Sequence, residues 1–134
     1  MLETAPEKIC YIIVKARAFD AKVAVEVPDR GSNPSDESDV EILEDRPDDP
    51  TLHELETALS DLNEDERTEV LALMWLGRGD YTMDGWDEAL ATARDTLDEH
   101  FVTYMTGTPL LGDHLEEGLS EHGYSCQDFE MGRL

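Results

Sequence analysis

Positive charge is scarce in this chain: ten Lys and Arg stand against 33 Asp and Glu in 134 residues, a formal net charge of −23. Such a field repels nucleic-acid phosphates and anionic lipid headgroups, so binding to DNA, RNA or a membrane surface by attraction is disfavoured. Basic proteins and divalent cations are attracted instead. Mimicry of nucleic acid would need carboxylate rows spaced like phosphates, which charge alone does not supply. The acidity also serves solubility and suits a saline interior, where screening shortens the range of self-repulsion.

Long apolar runs are missing as well. No stretch approaches the roughly 18 residues a membrane helix needs. The most apolar one, Ile9 to Val14, follows acidic residues and is closed by Lys15. A signal peptide wants a positive start, a longer apolar region and a small-residue cleavage site, so the expected location is the cytoplasm. Cysteine is limited to Cys10 and Cys126, too few for a disulfide framework. Cys10 is expected as a small core residue and Cys126, in a polar tail, as exposed; a bridge between them is the alternative. No segment alternates long enough to argue for a sheet, and the one β-rich run, Ile12 to Val14, sits inside a helical pattern.

What is present is helical periodicity. Thr4, Pro6 and Glu7 read as a capping box opening a first helix, along which Ile9, Ile12, Ile13, Ala16, Phe19 and Val23 recur. Cys10, Val14 and Ala18 widen that stripe, which marks the helix as central or as part of an interface. A loop rich in Gly, Ser, Asn, Pro and acid follows, with Val40, Ile42 and Leu43 as candidates for a short turn. Asp49 and Pro50 start a second helix bearing Leu52, Leu55, Leu59 and Leu62. Asn63 caps a third, whose first turn carries Glu64, Asp65 and Glu66 and whose apolar body stops at Gly77. A fourth starts near Asp84, with one stripe running from Trp86 through Leu97 and Phe101 to Met105. Thr108 and Pro109 open a fifth, which ends at Gly123. The fold class is therefore all-α: a single helical domain over 1–134, a bundle of about five helices with one long acidic loop at about 25–48 and an irregular C-terminal tail at 124–134.

Candidate sites are few. Asp80, Thr82, Asp84 and Gly85 match positions one, three, five and six of a calcium-binding loop between helices, and Glu88 falls at the ninth. The twelfth position, which should hold a bidentate Glu, is Ala91, so the competing assignment is a turn whose Asp87 and Glu88 favour the next helix start. The histidines are His53, His100, His114 and His122; His114 with Asp113 and Glu117 is the one local set that could converge on a metal. Thus Asp80, Asp84, Asp87, Glu88 and His114 are the candidate metal ligands. Trp75 and Trp86 flank the Gly77–Gly85 loop, where bulky aromatics either close a core or line an interface. With Tyr11 and Phe19 of the first helix they are the candidate interface residues. No nucleophile elbow, phosphate cradle or cofactor motif occurs, so no catalytic residue and no cofactor is expected.

The segments PEKICYIIVKARAFDAKV, GSNPSDES, LALMWLGRGD with WDEAL, and PLLGDHLEEGL with GYSC resemble, in order and from Pro6 to Cys126, a family of small alphaproteobacterial proteins catalogued as domain of unknown function 3775 (DUF3775). The resemblance implies a bacterial, cytoplasmic, single-domain protein and carries no activity, ligand or catalytic residue with it. From the residues themselves the leading expectation is a non-enzymatic accessory or interaction module, with a basic protein partner or self-association as a homo-oligomer. The alternative is a metal-dependent or acid–base enzyme built on a carboxylate and histidine pocket.

Overall fold

The computed structural model describes residues 2–26 and 50–126, and these contain six α-helices, one 3-10 turn and no strand. The helices are α1 (Pro6–Glu26), α2 (Pro50–Ser60), α3 (Glu64–Arg78), α4 (Trp86–Thr96), α5 (Phe101–Thr106) and α6 (Leu111–Glu121), with the 3-10 turn Met83–Gly85 before α4. The turn expected around Val40, most of the acidic loop and the tail beyond Cys126 lie outside the described residues.

Helix α3 is the axis of the bundle. Its apolar body buries residues on every side, from Thr68 to Met74 and again at Leu76. The most extensive packing is α3 on α6, with α4 against another side of α3; α1 lies on α6 and α2, and α2 reaches α5. Ile9, Ile12, Ile13, Leu59, Leu73, Met74, Met105 and Leu115 are among the fully buried side chains that fill the interior. Glycine makes the α3–α6 crossing close. A Cβ on Gly77 would overlap the His114 carbonyl oxygen, and one on Gly118 would overlap that of Leu73. The start of α3 is a full capping box: the Asn63 side chain accepts the Glu66 N–H at 2.8 Å, and the Glu66 carboxylate accepts the Asn63 N–H at 2.9 Å.

Four expectations need correction. Thr4 does not cap α1; the Ala5 carbonyl accepts the first helical N–H groups, from Lys8 and Ile9. Thr4 turns to Glu69 instead, donating its hydroxyl at 2.5 Å and its N–H at 2.7 Å, while the Glu3 N–H donates at 2.7 Å. Glu69 is only 7% exposed, and a buried carboxylate demands donors more strongly than a solvated helix end does. The fourth predicted helix is two, α4 and α5. Leu97 is extended at ψ 129°, and the Asp98 carboxylate accepts the His100 N–H at 2.9 Å, a local bond that competes with the helix ladder. The last helix begins at Leu111 rather than Thr108, after Leu110 in the left-handed region at φ 59°, while the Thr108 hydroxyl donates back to the Tyr104 carbonyl. Finally, Cys126 is buried and bonded to Cys10, with Cα atoms 5.5 Å apart. The bridge ties the segment after α6 to α1 across 116 residues of sequence.

Candidate functional site

The described surface carries one groove with an aromatic floor. It lies where α4 gives way to α5 and is closed on its other side by α3; Leu71 and Trp75 come from α3, Thr96, Leu97, Asp98 and His100 from the α4–α5 joint, and Phe101 and Tyr104 from α5. Its volume is about 300 Å³, at the lower end of what a small ligand or an inserted side chain occupies. Local sequence explains the shape. The chain leaves helical geometry at Leu97 and makes the Asp98–His100 turn before α5, so the joint itself lines the groove beside Leu71 and Trp75 of α3.

The aromatic groups are held in place. The Trp75 indole N–H donates to the Tyr104 hydroxyl at 3.3 Å, and its ring stacks on Tyr81 with centroids 5.9 Å apart. Behind Tyr104, Arg78 donates to Asp80 at 2.6 and 2.9 Å, and that pairing raises the Arg78 pKa further above its usual value. Phe101 is buried with the Arg67 guanidinium over its ring, 5.2 Å from the centroid. Arg67 is engaged by the carbonyls of Leu62 and Ser60, and Arg94 by Asp65. Every arginine near the groove is thus occupied within the fold. Asp98, in its lining, and Glu99, the next residue along the chain, have no Lys or Arg partner among the described residues; Asp98 accepts the His100 N–H, and Glu99 lies 3.8 Å from His100, both highly exposed.

The residues predicted as metal ligands do not gather. Asp80 is held by Arg78 on the loop after α3, Asp84 is in the 3-10 turn, and Asp87 and Glu88 sit exposed in the first turn of α4. His114 lies half-buried on α6, where its carbonyl meets Gly77. Among the described residues no group of three or more His, Cys, Asp or Glu is placed to hold a metal ion. A separate polar cluster joins α1 to α6, where Arg17 donates to Asp113 at 2.9 Å and to Glu116. Asp20 beside it has a raised pKa, first through burial and then through Asp113, opposed by a bond from the Leu110 backbone. This cluster reads as an internal staple.

The predicted interface residues divide. Trp75 lines the groove and Tyr11 is 38% exposed on α1. Phe19 is half-buried against the core. Trp86 is packed into the core at 9% exposure, edge-on to His122 with centroids 4.4 Å apart. Tyr104 and Asp98 escape prediction because the heptad-like stripe from Trp86 to Met105 hides the break that exposes them. The Asp at position 98, two residues before His100, is the one local signal for that break.

Fold and surface together define a small acidic helical bundle with an open aromatic groove and no metal-holding cluster among the described residues. The chain belongs to the family described as a protein of unknown function, DUF3775, which matches residues 52–124 and thus α2 to α6 with the groove. No curated protein and no solved structure matches it. Among the described residues no helix is long and apolar enough to cross a membrane.

Proposed function

We propose that this protein is a non-enzymatic accessory module that binds a basic protein partner through the groove at the α4–α5 joint. The observation that carries this reading is an apolar aromatic floor with Asp98 in its lining, on a chain of net charge −23. Apolar contact at such a site supplies affinity, and the surrounding field supplies steering and selection against acidic partners. Calorimetry with an amphipathic lysine- and arginine-bearing peptide tests it. Binding that weakens steeply with salt, and is absent for a charge-reversed peptide, is expected; equal binding of both peptides, or none of either at low salt, overturns it.

Self-association has its own observation. Helix α1 exposes Tyr11 and Val14, 38% and 37%, and Tyr11 borders a second groove of about 310 Å³ shared with Ile12, Ala58 and Leu62. Sedimentation at rising protein concentration decides it: a Tyr11-dependent dimer supports this second reading, and a monomer at all concentrations removes it. We further take the chain as one domain acting in the bacterial cytoplasm. The Cys10–Cys126 bridge supplies a check on that location, since disulfides are rare in reducing cytosol. Thiols trapped in their reduced form in cells support it, and a persistent bridge places the protein in an oxidising compartment.

A further inference from the structure

We infer that the groove at the α4–α5 joint is a reading site for an arginine side chain of the partner, an inference that rests on the interaction-module reading above. The groove is lined by two chemically distinct sets of groups, which match the two parts of an arginine side chain. Leu71, Leu97 and Phe101 form an apolar bed, which suits the three-carbon stem. Trp75 and Tyr104, joined through the indole N–H, and Asp98 line the same groove, which suits the planar cation. A guanidinium stacks on an indole face and pairs with a carboxylate through two parallel N–H groups, whereas an ammonium is a more strongly hydrated point charge. The same aromatic cluster already receives one guanidinium, that of Arg67 over the Phe101 ring at 5.2 Å. The Trp75 plane is fixed in advance by Tyr81 on one side and the Tyr104 hydroxyl at its edge, so little ordering is required when a ligand arrives. Charge also favours a cation here: Arg67, Arg78 and Arg94 are neutralised or held by internal partners, whereas Asp98 accepts one backbone N–H, that of His100, and has no Lys or Arg partner among the described residues.

The test is a titration of isotope-labelled full-length protein with a short peptide carrying one arginine between leucines, followed by the two tryptophan indole N–H signals. Trp75→Phe identifies which signal is which. The arginine peptide is expected to shift the Trp75 signal and leave that of buried Trp86 in place. Replacing arginine by citrulline, which keeps the shape and removes the charge, should weaken binding about tenfold, and lysine should fall between them. Asp98→Asn should weaken the arginine peptide by a similar factor while keeping an acceptor for the His100 N–H. Citrulline binding as tightly as arginine overturns the inference. So does an arginine peptide that binds by calorimetry without moving the Trp75 signal, an outcome that keeps the basic partner of the reading above but moves it off this groove. Absence of binding by arginine, lysine and citrulline peptides alike at low salt removes both.

Discussion

Replacing Gly77 by alanine places a methyl group where the His114 carbonyl oxygen already sits, with the carbonyl carbon 2.7 Å away and the Gly118 nitrogen 3.0 Å away. All three are backbone atoms of α6, so no side chain can swing aside; α3 and α6 must separate along the most extensive helix contact in the bundle. Overpacking a well-filled interior costs about 1–3 kcal/mol and sometimes more, while alanine's better helix propensity returns about 1 kcal/mol. A backbone clash of this depth lies beyond the usual range, at about 4 kcal/mol, and after the helix-propensity gain we expect a net loss of about 3 kcal/mol for Gly77→Ala. Gly118→Ala meets the Leu73 carbonyl and also the flexible Leu73 side chain at 3.2 Å, and should lose about 2 kcal/mol. For a domain of this size about 1 kcal/mol moves the Tm by roughly 4 °C, so Gly77→Ala should lower it by more than about 10 °C. Gly85→Ala is the control, since its φ is ordinary at −98° and its nearest neighbour is the Tyr81 ring at 3.8 Å. Thermal and urea unfolding followed by far-ultraviolet circular dichroism measures all three. A Gly77→Ala protein that melts with the parent would refute the close α3–α6 crossing, and with it the placement of Trp75 at the groove.

Other consequences follow from buried polar groups and the bridge. Glu69→Ala strips three hydrogen bonds from the segment before α1 and leaves the Thr4 N–H buried without a partner, for an expected loss of about 3 kcal/mol in urea unfolding. A Cys10→Ala, Cys126→Ala pair opens a loop of 116 residues, and should lose about 2–5 kcal/mol relative to the oxidised protein; an unchanged midpoint would mean the bridge contributes nothing. His122 packs against Trp86 with its Nε2 buried and unpartnered, and burial holds its pKa below 6.5. The neutral form is therefore favoured in the fold, and the unfolded chain takes up the proton first as pH falls. Stability should decline as pH drops from about 6.5 toward the depressed folded value, and His122→Gln should flatten that part of the curve. A proton-detected titration showing an ordinary His122 pKa would contradict this.

The helical architecture was readable because α1, α2 and α3 each carry one uninterrupted pattern with a start signal; Asn63, Pro50 and the stop near Gly77 fall within two residues of the observed ends. The failures share a cause, which is that contacts distant in sequence outweigh local signals. Thr4 looks like a cap because its local partner, Glu7, is at the right spacing, yet Glu69 lies 65 residues away and out-competes it. Cys126 reads as exposed because its neighbours are polar, although its partner is 116 residues upstream. The groove was half legible. Trp75 stood out as an aromatic beside a turn, but Tyr104 and Asp98 join it only because one period continues across a non-helical joint, with Leu97 and Phe101 facing the interior from either side. Gly112 and Gly118, embedded in an apolar helical pattern, did carry a signal of close backbone approach that periodicity alone does not use.

Zero-length carbodiimide cross-linking of the full-length protein to a bound arginine- and lysine-bearing peptide, mapped by mass spectrometry, tests the proposed basic-partner surface most directly. Cross-links are expected to concentrate at Asp98 and the adjacent Glu99, and to be lost when the peptide is displaced by an uncross-linkable arginine-only competitor. Cross-links spread evenly over the acidic surface, or concentrated on Asp113, Glu116 and Glu117 of α6, would contradict it.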